Sequence, residues 1–168
     1  MKDFTVRDKL ETADPQRMVI MVGKSRTGKS ITANGLFASK FVTTCDDDIR
    51  RAIGCEFDPD NEPLVHQTHE LMTKALLLRG YSVVVDAPNL TKDERNIWIS
   101  MAESSGIRPH VIVIRDPTDA VAWRAQCEKD AFPWSVIQGQ MFKWEALSEE
   151  ELGRVTFQYE PALTARNV

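Results

Sequence analysis

The chain has 168 residues, of which 42% are hydrophobic and 27% charged, the balance of one globular domain long enough to bury a core. A net charge of −4 provides no global attraction to nucleic acid, so any polynucleotide would need a local basic patch. The three cysteines, Cys45, Cys55 and Cys127, are widely spaced and form no C-x-x-C pair, which argues against a disulfide framework or a zinc site.

Cys45 and Cys127 are read as plain fillers, and the cysteine usage suits a reducing compartment. No apolar stretch approaches the ~20 residues that span a bilayer, so no membrane association is expected. Residues 1–16 are mostly polar, lack the apolar core of a signal peptide and read as an extension ending near Asp14-Pro15. The expectation is a cytoplasmic protein with a single domain over residues 17–168.

That domain begins with the apolar run Met18-Val19-Ile20-Met21-Val22, a buried strand. Gly23-Lys24-Ser25-Arg26-Thr27-Gly28-Lys29-Ser30 follows and fits the phosphate-loop pattern G-x-x-x-x-G-K-[ST]. Ile31-Thr32-Ala33-Asn34-Gly35-Leu36-Phe37 continues as a helix, so the loop has the strand before it and the helix after it that its chemistry needs. The glycines let the backbone wrap a phosphate chain, and successive N–H groups with the helix N-terminus point at the anion. Lys29 is placed to bridge the outer phosphates and the Ser30 hydroxyl to ligate Mg²⁺. The chain is therefore expected to bind a nucleoside triphosphate.

Residues 40–44 read as a short second strand ending at Asp46-Asp47-Asp48, and 54–63 as a loop. Residues 62–79 show helical spacing in Leu64, Leu71, Ala75 and Leu78, with Gly80 as the stop. Residues 81–86 form a strand ending in a carboxylate. Thr91 caps the next helix, Glu94 completes a capping box, and Ile97, Trp98 and Met101 point inward before the stop at Gly106. A strand at 110–115, helical stretches at 120–129 and 134–147, and a last strand at 154–159 complete the chain. Alternating strand and helix predicts an α/β fold with a parallel sheet flanked by helices. In such sheets ligands bind at the carboxyl ends of the strands, where the phosphate loop, residues 46–48, residues 86–89 and those after Arg115 converge.

Phosphoryl transfer needs charge neutralisation and a group that accepts the acceptor's proton. A carboxylate among Asp46, Asp47 and Asp48 can take that proton, and Arg50, one helical turn on, can hold an acceptor's phosphate. The bland alternative is an acidic first turn that satisfies the helix dipole. Asp86 after its valine run resembles the Walker-B acid that holds Mg²⁺, although Asp also favours turns at strand ends. Arg115 and Arg124 could clamp adenine or phosphate. His66 and His69 share a helix face without a third ligand, which argues against a metal site. Trp134, Phe142 and Trp144 suit core packing or a contact between copies of the chain, so a homo-oligomer is open.

The phosphate loop, Asp47-x-x-Arg50, and Val83-Val84-Val85-Asp86-Ala87-Pro88-Asn89-Leu90-Thr91, continuing into Glu94-Arg95 and Trp98, together resemble the polynucleotide 5′-kinase family over about residues 17–144. The resemblance implies an adenylate-kinase-like P-loop NTPase fold with a helical lid. It also implies Mg²⁺-dependent transfer of the ATP γ-phosphate to the 5′-hydroxyl end of DNA or RNA. By position, Lys29 and Ser30 would bind phosphates and Mg²⁺, Asp47 would be the general base, and Arg50 would hold the acceptor's adjacent phosphate. Asn89 falls in the family's acceptor-side segment, and Phe132 stands before the lid proline, where an apolar residue meets the acceptor base.

Two positions depart from the family pattern. Pro88 replaces the usual Thr, leaving Asp86 as the acid of that segment, and the lid around 123–133 lacks an arginine at the expected spot. Either Lys129 substitutes for it or Arg124 reaches over; a lysine would forgo bidentate phosphate contact. The competing enzyme reading is a small-molecule kinase acting on a sugar acid, nucleoside or antibiotic. A nucleotide switch without an acceptor is disfavoured because no N-K-x-D-type guanine reader is present.

Overall fold

The computed structural model describes residues 15–37, 40–54 and 57–162, so the expected extension and Cys55 fall largely outside it. Among the described residues five strands, β1 (Met18–Val22), β2 (Val42–Thr44), β3 (Val83–Val85), β4 (His110–Ile114) and β5 (Thr156–Glu160), form one sheet in the order β2-β3-β1-β4-β5. Every pairing is parallel, as alternating strand and helix predicted. β1 is central because it is apolar along its whole length and buried on both faces. The connection leaving β1 runs toward the β2 edge and the one leaving its neighbour β4 runs toward the β5 edge, so the carboxyl end of β1, carrying the phosphate loop, lies at a topological switch point.

Among the described residues, seven helices connect the strands: α1 (Lys29–Phe37), α2 (Asp46–Ala52), α3 (Glu62–Leu78), α4 (Lys92–Ser104), α5 (Ala120–Lys129), α6 (Trp134–Lys143) and α7 (Glu149–Arg154). Alternate residues of each strand feed opposite faces of the sheet. Met18, Ile20, Val22, Val83, Val85, Val111 and Val113 pack with Trp98, Ile99 and Ala102 of α4, whereas Val19, Met21, Val84, Ile112 and Ile114 pack with Ala33 of α1. A third small core of Trp123, Cys127 and Ile137, with Phe132 and Trp134 against it, joins α5 to α6. Trp123 and Trp134 meet edge to face there at 5.4 Å.

Several expectations change. In α3 the leucine spacing marks the wrong face: Leu64, Leu71, Ala75 and Leu78 are exposed, and Val65, His69, Thr73 and Leu77 are buried. Polar residues can occupy the inner face because they bond one another, His69 Nε2 to Thr44 Oγ1 at 2.9 Å and Thr44 Oγ1 to Thr73 Oγ1 at 3.1 Å. In α4 the capping box forms as read and Trp98 is buried, but Ile97 faces outward. The predicted helix over 134–147 stops at Lys143, where Trp144 turns extended (φ −61°, ψ 123°). α7 was not foreseen, although Ser148 and Glu151 close a second capping box at its start. Phe142 is 92% exposed and so is not core.

Arg95 and Glu151 tie these parts together. Both are fully buried, with Arg95 Nε donating to Glu151 Oε1 at 2.6 Å and Nη2 to Oε2 at 3.1 Å. Arg95 also donates to the carbonyls of Leu90 and Glu145, each at 2.9 Å. One guanidinium thus fastens the 86–91 loop, the 144–148 segment and α7 to α4.

Candidate active site

The phosphate loop springs from β1 through Gly23, whose φ of +149° is one that side chains resist. A Cβ there would stand 2.9 Å from the Ile114 carbonyl oxygen, so the close approach of loop to β4 requires glycine. Arg26 (φ 61°) and Gly28 (φ 96°) bend the loop further, and α1 begins at Lys29. The Lys24 carbonyl accepts from Thr27 Oγ1 at 2.8 Å and from Lys29 Nζ at 2.7 Å, which holds the lysine back along its own loop. Burial pushes the Lys29 ammonium down to a pKa of about 8, with the Asp86 and Asp47 carboxylates opposing the shift. Three candidate residues from three strand ends therefore share one electrostatic environment.

At the end of β2, the three aspartates have different partners. Asp46 accepts from His69 Nδ1 at 2.7 Å and lies 3.3 Å from His66 Nδ1. Burial alone would raise its carboxyl, but the His69 hydrogen bond and the His66, His69 and Arg50 charges outweigh burial and hold it below the usual carboxylate range. Asp48 pairs with Arg51. Asp47 stays 81% exposed and is held from one side by Arg50. Asp46 is held among its histidines, whereas Asp48 and Asp47 each pair with an arginine one turn on, and Asp47 is the most exposed of the three.

Arg50 is expected to hold an acceptor phosphate, and in the structure each of its three nitrogens already donates to a carboxylate. Its Nε and Nη2 donate to Glu62 at 2.8 and 2.6 Å, and Nη1 donates to Asp47. Glu62 is a site residue that the sequence reading missed; its position at the start of α3 was visible, but not the fold that brings it to Arg50. Asn89 also departs from expectation. At φ 49° and 4% exposed, it donates from Nδ2 to the Met21 carbonyl at 2.7 Å and accepts from Trp98 Nε1 at 2.9 Å. Its amide braces the 86–91 loop against β1 and α4 and is not offered to a substrate.

The lid is the α5–α6 hairpin, and it rests on the phosphate loop. Lys24 Nζ pairs with Asp116 at 2.8 Å and lies 4.9 Å from the centre of the Trp144 ring. The Ser25 N–H donates to Gln140 Oε1 at 2.7 Å. Arg26 pairs with Asp130 at 3.2 Å and covers Phe132 at 4.9 Å. Phe132, expected against an acceptor base, thus has one face under Arg26 and packs against the lid core with the rest. Arg124 pairs with Glu128 on the exposed side of α5, and Lys129 is exposed at its end. Cys127 is a buried filler, as expected. Cys45 is half-buried, and burial pushes its thiol up to about 11.

Among the described residues, no group of three or more His, Cys, Asp or Glu could hold a metal ion, and no helix is long and apolar enough to cross a membrane. The Ser30 hydroxyl and the Asp86 carboxylate are hard oxygen donors, a set that suits Mg²⁺ sharing its shell with phosphate oxygens.

The chain belongs to the AAA domain family, whose sequence profile matches residues 18–140. No curated protein matches it in sequence. Among solved structures it is similar to a sugar kinase from Janibacter sp. HTCC2649, with 18% identity and a TM-score of 0.60 over 88% of this chain and 86% of that one. It is also similar to a chain of the Pnkp1/Rnl/Hen1 RNA repair complex, with 19% identity and a TM-score of 0.66 over 89% of this chain; it spans 49% of that longer chain. A gluconokinase from Sinorhizobium meliloti 1021 matches with 19% identity and a TM-score of 0.57 over 86% of this chain and 82% of that one. At these identities the likeness shows a shared fold.

Proposed function

We propose that this AAA-domain protein is a kinase that transfers the γ-phosphate of ATP to the 5′-hydroxyl end of DNA or RNA. The observation that carries the reading is Asp47: an open carboxylate at the sheet's ligand-binding edge, steadied by Arg50 and close enough to Lys29 to favour its charge.

In the proposed reaction, the loop N–H groups and Lys29 hold the phosphate chain and neutralise its charge. Asp47 accepts the proton of the 5′-hydroxyl as that oxygen forms a bond to the γ-phosphorus. The bond from γ-phosphorus to the bridging oxygen breaks, and ADP leaves with the electron pair. Ser30 and Asp86 would hold Mg²⁺, which when bound supplies charge neutralisation at the phosphates. Lys129 is the better lid candidate for the transferring phosphate, because Arg124 is already paired with Glu128. Arg50 acts on Asp47, holding the carboxylate in place. The similarity to a chain of an RNA repair complex supports the choice of acceptor.

A second reading, a kinase for a sugar acid, nucleoside or antibiotic, is favoured by one observation: Arg50, the expected phosphate holder, already has each of its three nitrogens bonded to Glu62 or Asp47. The sugar kinase and gluconokinase similarities support it. The test is transfer of labelled γ-phosphate onto 5′-hydroxyl DNA and RNA oligonucleotides, run beside a panel of sugar acids and nucleosides. Label on the oligonucleotide, lost in Lys29→Ala, is the expected result. Label on a small molecule alone overturns the polynucleotide reading.

A further inference from the structure

Phe57 belongs to neither the phosphate loop nor the lid. It lies on the turn between α2 and α3 and is 70% exposed, a large apolar ring in water. Single exposed apolar residues are common. This one is positioned by two built features.

The first is Arg50, whose guanidinium carbon lies 5.7 Å from the centre of the Phe57 ring. Glu62 and Asp47 hold that guanidinium through Nε, Nη2 and Nη1, so the cation over the ring is held in place by two carboxylates. The second is the turn that follows. Asp58 accepts from the Asp60 N–H at 3.1 Å and from Asn61 Nδ2 at 2.9 Å, and its carbonyl accepts from the N–H groups of Asn61 and Glu62 at 2.9 and 3.1 Å. Phe57 therefore enters a fixed turn and leans on a fixed cation, while most of its surface stays open.

Asp47 hydrogen-bonds the same guanidinium. The proposed proton acceptor and the open aromatic ring are thus one side chain apart. An acceptor whose 5′-hydroxyl sits at Asp47 carries its base at a comparable remove, on the same nucleoside. Phe132, where family resemblance places the base contact, is covered by Arg26.

We infer that Phe57 is the stacking platform for the 5′-terminal base of the acceptor strand, an inference that rests on the polynucleotide reading. The Arg50 guanidinium backs the ring from below, and the base closes a three-layer stack from above. Stacking tolerates every base, because each has a π-face, so the platform favours a strand end with any base over one with none.

The test compares two oligonucleotides with a 5′-terminal hydroxyl, one intact and one abasic at its first residue, in the full-length protein and in Phe57→Leu and Phe57→Trp. Leucine keeps an apolar contact with Arg50 and removes the ring. The wild type should prefer the intact strand by about tenfold in KM, within the range of one stacked base. Phe57→Leu should lose that preference and Phe57→Trp keep it, with KM for ATP unchanged in both. A merely structural role for Phe57 would weaken both substrates equally and leave the preference standing, which would overturn the platform but not the kinase. Equal use of both strands by the wild type would do the same. No transfer to either strand by the wild type would overturn the polynucleotide reading, and the platform with it.

Discussion

Ser25 and Gln140 hydrogen-bond each other at two points: the Ser25 N–H donates to Gln140 Oε1 at 2.7 Å, and Gln140 Nε2 donates to Ser25 Oγ at 2.9 Å. One donor of the phosphate loop is thereby held by an amide oxygen from α6. The flanking residues do likewise, Lys24 with Asp116 and Arg26 with Asp130, so three consecutive loop residues grip three separate points between β4 and the end of the lid. The loop that wraps phosphate is therefore also the surface on which the lid rests.

Nucleotide entry is expected to release the Ser25–Gln140 pair. Two hydrogen bonds of about 1 kcal/mol each are enough to slow access. Gln140→Ala should raise the association rate of a fluorescent ATP analogue several-fold in stopped-flow mixing. An unchanged rate would show that the pair does not gate the loop.

Lys29 gives a pH dependence of definite sign. Its folded pKa of about 8 lies below the ordinary lysine value of 10.5, so between those values the unfolded chain holds more protons than the fold. The contribution of this group to stability therefore rises as pH climbs through that window. Nucleotide binding runs the other way, since phosphate favours the ammonium. ATP affinity should fall above about pH 8 and binding should take up a proton, read by titration calorimetry in buffers of different ionisation enthalpy. Proton release on binding would contradict the assignment.

The three aspartates should separate by role. Asp47→Ala is expected to lower phosphoryl transfer by at least 10²-fold, the scale of a lost general base, while leaving ATP binding nearly intact. Asp46→Asn should cost stability through His69, with less effect on the transfer step. Transfer at wild-type rate in Asp47→Ala would sink the base assignment.

Arg95→Ala should be among the most damaging substitutions outside the site. It strands the fully buried Glu151 carboxylate and the Leu90 and Glu145 carbonyls, a loss on the order of 3–5 kcal/mol. Urea denaturation followed by circular dichroism measures it. A loss under about 1 kcal/mol would mean that the pair behaves as a surface ion pair.

Gly23→Ala should harm the loop with little effect on the sheet. Its Cβ would press on the Ile114 carbonyl at 2.9 Å from a φ that alanine disfavours. Expected is loss of nucleotide binding by more than tenfold with the circular dichroism spectrum retained; full binding would show that the loop adapts.

The sequence by itself determined the parts that depend on local chemistry. Met18–Val22 could be read as a buried strand because all five residues are apolar and a phosphate loop follows, while its central place in the sheet came from the fold. Gly23 to Ser30 could be read as a phosphate loop because its residues act through their own backbone, and the Thr91–Glu94 cap because it closes within one turn. The tertiary structure decided every case in which a polar side chain finds a distant partner. His69 and Thr73 line the inner face of α3 because Thr44 and Asp46 lie opposite, which no periodicity of leucines could signal. Asn89 became a brace because its amide reaches β1 and Trp98. Arg50 met Glu62 because α3 starts beside α2, whereas its Asp47 partner lies one turn back on its own helix. A residue type tells which bonds a side chain can make, and only the fold tells which partner arrives first.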